Sequence, residues 1–172
     1  MLRSFAIQLV IFILAFQLLS LLRERSMLDT DLPVTSLNTP AQHHNESGAI
    51  MLSTLNGEPV ALQAQGNTTV LYFFAPWCQV CHASIGNLQN LFQHNEDVDV
   101  IAIALDYTSN EEVLKFTQRH QLTFPIALGD EKTKQAFAIT GYPSYYIVDK
   151  DNVITAKSMG YSSELGLYLR SL

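Results

Sequence analysis

Residues 69–84 read Thr69-Val-Leu-Tyr-Phe-Phe-Ala-Pro-Trp-Cys-Gln-Val-Cys-His-Ala-Ser84, and this stretch decides the fold. Its first part, Val70 to Phe74, is rich in β-branched and aromatic residues and predicts a buried strand. Pro76 ends the strand, because proline fixes its own φ and disfavours helix at the preceding residue. From Cys78 onward apolar residues recur every three or four positions, which predicts a helix. The first turn of that helix therefore carries both Cys78 and Cys81.

Cys78 and Cys81 are the only cysteines among the 172 residues. A single pair at this spacing cannot staple a fold, so it forms a local bridge, holds a metal with other ligands, or acts chemically. Zinc would need two further ligands, and the sequence contains no second paired cluster. We therefore expect no metal and no cofactor.

The spacing of the two cysteines suits thiol–disulfide exchange. A helix N-terminus offers unpaired amides and a partial positive charge, and Cys-x-x-Cys thiols placed there have pKa values of about 3.5–7.5. Cys78 opens the helix, so we expect it to be the more exposed thiol. It can attack a disulfide, and Cys81, one turn further along the same face, can then release the product by closing a ring.

An apolar run near the N-terminus is the second informative feature. Residues 4–22 carry no charge, and as a helix they would extend about 28 Å, close to the bilayer hydrocarbon thickness of about 30 Å. The run ends in Leu21-Leu22-Arg23-Glu24-Arg25, without the small-residue cleavage site of a secretion signal. It predicts one uncleaved transmembrane helix.

The flanking charges do not decide how this helix is oriented. An anchor ahead of a redox-like domain favours an exported domain. We therefore expect a single-pass protein of the inner (cytoplasmic) membrane, with the redox domain facing the periplasm or the cell exterior.

Three segments are predicted along the chain: a transmembrane anchor at 4–22, a polar linker at 23–48 and a folded domain at 49–172. The linker contains Pro33 and Pro40 and has no helical or strand period, which is typical of a tether. The net charge of −6 gives no reason to expect a nucleic-acid partner.

Within 49–172, strands alternate with helices and a hairpin closes the chain. A first hairpin is predicted around Asn56-Gly57, because both central positions of a two-residue turn tolerate positive φ. The nearly continuous apolar run of residues 98–105 predicts a central strand that is covered on both faces. Further strands are predicted at 124–128, 141–149 and 153–158, and further helices at 109–120, 130–139 and 164–171. This order predicts an α/β fold with a mixed sheet and helices on both faces.

Two stretches resemble a known superfamily. Phe73 to Cys81 (Phe-Phe-Ala-Pro-Trp-Cys-Gln-Val-Cys) resembles the thioredoxin active site, and Gly141-Tyr-Pro-Ser144 resembles the loop whose cis-proline faces the cysteines there. The gap between Cys81 and Pro143 is longer than in plain thioredoxin and contains an extra strand and helix. With the hairpin and the anchor, the chain is similar to the TlpA/ResA group of membrane-anchored thiol–disulfide oxidoreductases.

The resemblance implies a thioredoxin-like three-layer α/β/α fold with a central mixed sheet, an N-terminal hairpin and an extra strand–helix insertion. It implies that Cys78 attacks, Cys81 resolves and Pro143 is cis. The residues expected to shape the site are Pro76, Trp77, Gln79, Val80, Tyr142 and Pro143. The implied activity is disulfide exchange with protein substrates, as a reductase, with a membrane redox partner that recycles the dithiol.

Some residues depart from the pattern of that group. Tyr72 stands where thioredoxins have a buried acid, and Ser84 stands where many ResA-like reductases have a glutamate. No proton acceptor for Cys81 can therefore be named. Gln79-Val80 lacks the proline that is common in the group, which leaves the redox potential open.

Two alternative functions remain. Cys78-Gln-Val-Cys81-His82 also matches the attachment pattern of c-type haem, with His82 as an iron ligand and Met159 opposite. The strand that leads into the cysteines disfavours this, because small c-type cytochromes are mostly helical. The other alternative is a membrane-tethered binding module whose cysteines are idle, since a fold does not settle a function.

Overall fold

The structure is a computed structural model, and it describes residues 7–15, 17–18, 25–37 and 48–172. The strands within these residues are β1 (Met51–Ser53), β2 (Pro59–Ala61), β3 (Thr68–Phe74), β4 (Val98–Ala104), β5 (Ile126–Leu128), β6 (Ser144–Val148) and β7 (Ile154–Met159). The helices of the folded domain are α1 (Gln79–His94), α2 (Asn110–Arg119), α3 (Glu131–Ala136) and α4 (Glu164–Ser171).

The main sheet has the strand order β5-β4-β3-β6-β7. β4 is parallel to β3 and β5 is parallel to β4, whereas β6 and β7 are antiparallel to their neighbours, so the predicted mixed sheet is confirmed. The seven residues of β3 lie at the centre, and all but the first are buried. The carboxyl end of β3, which leads to Cys78, therefore lies at the middle of one sheet edge.

The smaller elements match the predicted additions to the thioredoxin plan. β1 and β2 pair as a separate antiparallel hairpin. β5 and α3 follow α2 along the chain, and β5 provides an edge strand of the main sheet. They form the predicted strand–helix insertion.

The turn of the first hairpin differs from the expectation. Gly57 has a positive φ of 84°, whereas Asn56 is not in the left-handed region. The Gly57 amide donates to the Thr54 carbonyl at 2.9 Å, and the Thr54 amide donates to the Glu58 carbonyl at 2.8 Å. The predicted two-residue turn is thus wrong, and a longer loop that needs one left-handed glycine replaces it.

The two faces of the sheet are covered differently. One face packs against α1, α2 and α4, through buried side chains such as Ile85, Phe116 and Leu167. The other face packs against the hairpin, the short helix α3 and residues 25–37. Helices on both faces were predicted, but among the described residues the second face has only the six-residue α-helix α3 and a 3-10 turn at Val34–Ser36.

Residues 25–37, which we call the docked segment, pack against the domain instead of forming a tether. The Asp31 amide donates to the Ile154 carbonyl at 2.8 Å, and the Ile154 amide donates to the Leu32 carbonyl at 3.0 Å. Met27 and Val34 are buried against the sheet. The linker predicted at 23–48 is therefore wrong for this part, because its few apolar side chains fill the otherwise open face.

The predicted anchor lies only partly within the described residues. Residues 7–15 and 17–18 are helical, and the rest of 4–22 lies outside the described part, as do residues 23–24 and 38–47 of the predicted linker. None of the helices in the described residues is both long and apolar enough to cross a bilayer. The transmembrane anchor stays a prediction.

Shortening Val34 should destabilise the domain, because its side chain is only 1% exposed. We expect Val34→Ala to lower the free energy of unfolding by about 2 kcal/mol through lost burial and a residual cavity. The control is Leu114→Ala, since Leu114 is 43% exposed on α2, and it should cost about 0.5 kcal/mol or less. Urea denaturation of residues 23–172 measures both, and equal effects would show that the docked segment does not contribute.

Candidate active site

Cys78 caps the helix that carries the second cysteine. β3 ends at Phe74, and the Cys78 amide donates to the Ala75 carbonyl at 3.0 Å, which turns the chain into α1. The Cys78 backbone is extended, and its sulfur accepts a hydrogen bond from the Cys81 amide at 3.2 Å. Cys78 is therefore the N-cap residue of α1, and its sulfur takes the place that a serine or aspartate oxygen has in ordinary caps.

The two thiols differ in burial. Cys78 is 6% exposed and Cys81 is 0% exposed, so Cys78 is the one that another protein can reach. Burial raises the pKa of Cys81 well above its ordinary value, and the neighbouring Cys78 raises it further. Ionisation of the Cys81 thiol is thus disfavoured, and Cys78 is the more accessible of the two thiols.

The remaining side chains of the active-site turn surround Cys78 on its open side. Gln79 and Val80 are exposed on the first turn of α1, and Pro76 is half-buried. Trp77 is 61% exposed, although its ring is held in place by a hydrogen bond. Four of the six predicted site-shaping residues therefore lie on the surface that a partner would meet.

A polar cluster that the sequence analysis missed holds Trp77. The Trp77 Nε1–H donates to the Asp106 carbonyl at 2.9 Å. The Asp106 carboxylate accepts from Lys134 Nζ at 2.7 Å and from the Tyr142 hydroxyl at 3.0 Å. The cluster joins the active-site turn, the loop after β4, α3 and the loop before β6. The one sequence signal for this cluster is the position of Asp106 just after a central parallel strand, where functional residues of α/β folds often lie.

Tyr142 and Pro143 lie beside the cysteine-bearing turn. The Tyr142 and Trp77 rings meet edge to face, with centroids 5.9 Å apart. The Tyr142–Pro143 peptide bond is cis, which is the geometry that the resemblance implied. The Pro143 carbonyl accepts from the Gly160 amide at 2.8 Å, which ties this cis-proline loop (residues 141–143) to the end of β7.

Tyr72 and Ser84, the two departures from the family pattern, meet in the structure. The Tyr72 hydroxyl and Ser84 Oγ form a buried hydrogen bond of 2.8 Å between β3 and α1. Burial, and secondarily the nearby Cys81, raises the pKa of Tyr72 well above its usual value. The phenol therefore stays protonated and is not a base for Cys81, so the pair stabilises the site without charge.

His82 is engaged by another histidine. Its Nδ1 lies 2.7 Å from His120 Nε2, and both rings pack on Phe116. With Pro76 and Trp77, His82 and Phe116 help to line a groove of about 350 Å³ beside the active-site turn. Because His82 is directed at α2 and the Cys81 sulfur is enclosed, this geometry does not favour the haem alternative.

The Tyr72–Ser84 pair can be tested by a double-mutant cycle. Ser84→Ala should cost about 1–3 kcal/mol of stability, because it leaves the buried Tyr72 hydroxyl unpaired. Tyr72→Phe should cost less, since a helical serine can bond to a carbonyl one turn back. The double variant should cost less than the sum of the single costs. Urea denaturation gives all three values, with the more exposed Tyr168→Phe as control, and strict additivity would argue against a coupled pair.

The histidine pair predicts a pH dependence. Burial, and secondarily His82, lowers the pKa of His120. The unfolded chain then binds more protons than the folded one near pH 6, so stability is complete above the unfolded pKa of about 6.5 and falls as the pH drops. We expect His120→Gln to lose less stability than the native protein between pH 7.5 and 5.5. Urea denaturation at both pH values measures the free energy of unfolding. If the variant and the native protein lose the same amount between the two pH values, the prediction is wrong.

Comparisons with known proteins agree with this site and fold. Residues 44–157 match the AhpC/TSA family, which is more than half of the chain, so the protein belongs to that family. It is 30% identical over 118 residues to the thioredoxin-like protein YneN of Bacillus subtilis, over 66% of this chain and 69% of YneN. It is 25% identical over 113 residues to sporulation thiol-disulfide oxidoreductase A of B. subtilis, over 62% of this chain and 68% of the relative.

A solved structure supports the fold. The crystal structure of StoA from B. subtilis superposes with a TM-score of 0.65 at 20% identity, over 72% of this chain and 96% of that one. Together with the family match and the similarity to YneN, this fold confirms the resemblance to the thioredoxin superfamily. The fold and these relatives place the protein among the thioredoxin-like thiol–disulfide oxidoreductases.

Proposed function

We propose that the protein is a membrane-anchored reductase of protein disulfides that works through Cys78 and Cys81. The observation that carries this proposal is the asymmetry of the pair. The Cys78 sulfur lies at the N-terminus of α1 and accepts the Cys81 amide hydrogen, whereas the Cys81 sulfur is fully enclosed. The amide and the helix N-terminus place partial positive charge beside the Cys78 sulfur, so Cys78 is the thiol positioned to attack.

The reaction needs only the two thiols and the substrate disulfide. Cys78 forms a bond to one substrate sulfur, and the other substrate sulfur leaves and takes up a proton. Cys81 then attacks the Cys78 sulfur. This breaks the bond between Cys78 and the substrate, and the released substrate sulfur takes the proton of Cys81. Two electrons pass to the substrate, and the protein is left with a Cys78–Cys81 disulfide. Because the proton of Cys81 passes to the substrate sulfur, the route does not require Tyr72 to act as a base.

The reducing direction is supported by the environment of Cys81. A dithiol is a strong oxidant when its reduced form is stabilised. Here burial disfavours the charged form of Cys81, as its raised pKa shows. The reduced form is thus not stabilised by a Cys81 thiolate. The dithiol therefore gives up its electrons more readily than one whose reduced form is stabilised in this way. A redox partner in the membrane would then have to reduce the disulfide for the next cycle.

The apolar, uncharged residues 4–22 support the membrane anchor. We place the anchor in the inner (cytoplasmic) membrane, with the redox domain on the periplasmic or external side. The lack of a small-residue cleavage site supports an anchor that is retained.

Cysteine variants test the mechanism. Cys78→Ser should abolish the reduction of insulin by the protein with dithiothreitol as electron donor, because the attacking sulfur is lost. Cys81→Ser should still attack but should accumulate a mixed disulfide, which is visible by mass spectrometry. Lys132→Ala, on α3, is the control and should reduce insulin at the native rate. Native activity of Cys78→Ser would show that another group does the chemistry.

The reduction potential of the Cys78–Cys81 couple tests the direction. Equilibration with glutathione buffers should give a value near that of thioredoxin, about −270 mV. A value near about −120 mV would make the protein an oxidant. That result would overturn the proposal that the protein is a reductase, but not the proposal that Cys78 and Cys81 exchange disulfides.

A further inference from the structure

We propose that the docked segment holds the redox site at the membrane surface, where the membrane redox partner of the proposed function reaches it. This inference rests on the membrane anchor of the proposed function. It adds where the site lies relative to the bilayer.

The direction of the docked segment along the sheet is the first step. Going from its N-terminal end, Leu28 contacts Tyr146, and Asp31 then contacts Ile154. Further along, Pro33 bridges Val153 in an antiparallel manner. The segment therefore runs antiparallel to β7, and its N-terminal end lies where β7 ends.

The end of β7 is also the redox end of the sheet. In the β6–β7 pair, Met159 is opposite Ser144, the residue that follows the cis-proline. The Gly160 amide donates to the Pro143 carbonyl at 2.8 Å. Ser26 Oγ lies 3.0 Å from Thr140 Oγ1, directly before the cis-proline loop. The chain from the anchor thus enters the domain beside the loop that borders the active site.

Lys157 fixes this entry point. Its Nζ donates to the Leu28 carbonyl at 2.9 Å and lies 3.6 Å from an Asp29 carboxylate oxygen. The Lys157 side chain is only 18% exposed, whereas Asp29 is 91% exposed, so the bond to the Leu28 carbonyl is the main attachment and the ion pair is open to water. The Leu28 amide in turn donates to the Tyr146 hydroxyl at 3.0 Å. The docked segment is therefore attached to the sheet by polar bonds as well as by apolar packing.

The chain between the anchor and the entry point is short. The four steps from Leu22 to Ser26 reach at most about 14 Å, and the headgroup layer takes up about 6 Å of this. A free tether over the 26 residues 23–48 would instead have a root-mean-square length of about 28 Å. Docking thus shortens the distance that the domain can move from the bilayer, and it keeps the redox end of the sheet next to the headgroups.

The exposed side chains at the redox end fit this position. Trp77 and Val80 flank Cys78, and Tyr161 follows β7; all three are exposed. Tryptophan and tyrosine are enriched at membrane–water interfaces, where an amphipathic ring meets the headgroups. A bilayer-facing orientation therefore places these rings in a favourable environment.

Two insertion variants of the full-length chain separate docking from simple tethering. One carries 20 Gly/Ser residues after Arg23, ahead of the docked segment, and the other carries them after Gln42, behind it. Each is reconstituted, in a Cys81→Ser background, into vesicles that contain a phospholipid with a maleimide headgroup. The measured quantity is the rate at which Cys78 reacts with the lipid, compared with a soluble maleimide.

We expect the insertion after Arg23 to slow the lipid reaction roughly fivefold or more, because a longer tether lowers the local concentration of the headgroup maleimide. The insertion after Gln42 should leave the rate unchanged, since the entry point at Ser26 is kept. The soluble maleimide should react equally with all variants. Equal slowing by both insertions, or by neither, would overturn the proposal.

The failures of the two proposals can be told apart. If carbonate washing removes the protein from the vesicles, the anchor and this inference both fall, while insulin reduction by the domain is untouched. If insulin is not reduced but only the insertion after Arg23 slows the lipid reaction, the reductase fails and the membrane-facing site stands.

Discussion

The hydrogen bond from the Cys81 amide to the Cys78 sulfur is the interaction on which the site depends. It forms only if α1 begins directly after Cys78, which requires β3 to end at Phe74 and the chain to turn within three residues. β3 is the central strand, buried on both faces, so the start of α1 is fixed by the most rigid part of the molecule. The same packing encloses Cys81 and makes the two thiols differ in burial.

Around this bond the site is uncharged inside and polar outside. The buried Tyr72–Ser84 pair supports α1 without a carboxylate, so the inner thiol has no nearby internal base from this pair. Asp106 lies on the outer side, where it holds Trp77 through its carbonyl and Tyr142 through its carboxylate. Asp106 thereby joins the aromatic ring that precedes Cys78 to the cis-proline loop.

Much of this could be predicted, because it is encoded locally. The apolar run of β3, the break at Pro76 and the helical spacing after Cys78 lie within sixteen consecutive residues. The docked segment could not be predicted in this way. Its apolar residues, such as Met27 and Val34, follow no helical or strand period, and its hydrogen-bond partners near Ile154 are more than 100 residues away.

The sequence by itself determined the prediction of the chemistry: two cysteines one helical turn apart, after a buried strand, are the pattern of a dithiol that exchanges disulfides. It also indicated which residues flank the thiols. Only the tertiary structure decided that Tyr72 meets Ser84, that Asp106 holds Trp77, and that the chain enters the domain beside the cis-proline loop. The physical reason is that sheet order and the packing of helices bring together side chains that no local spacing connects.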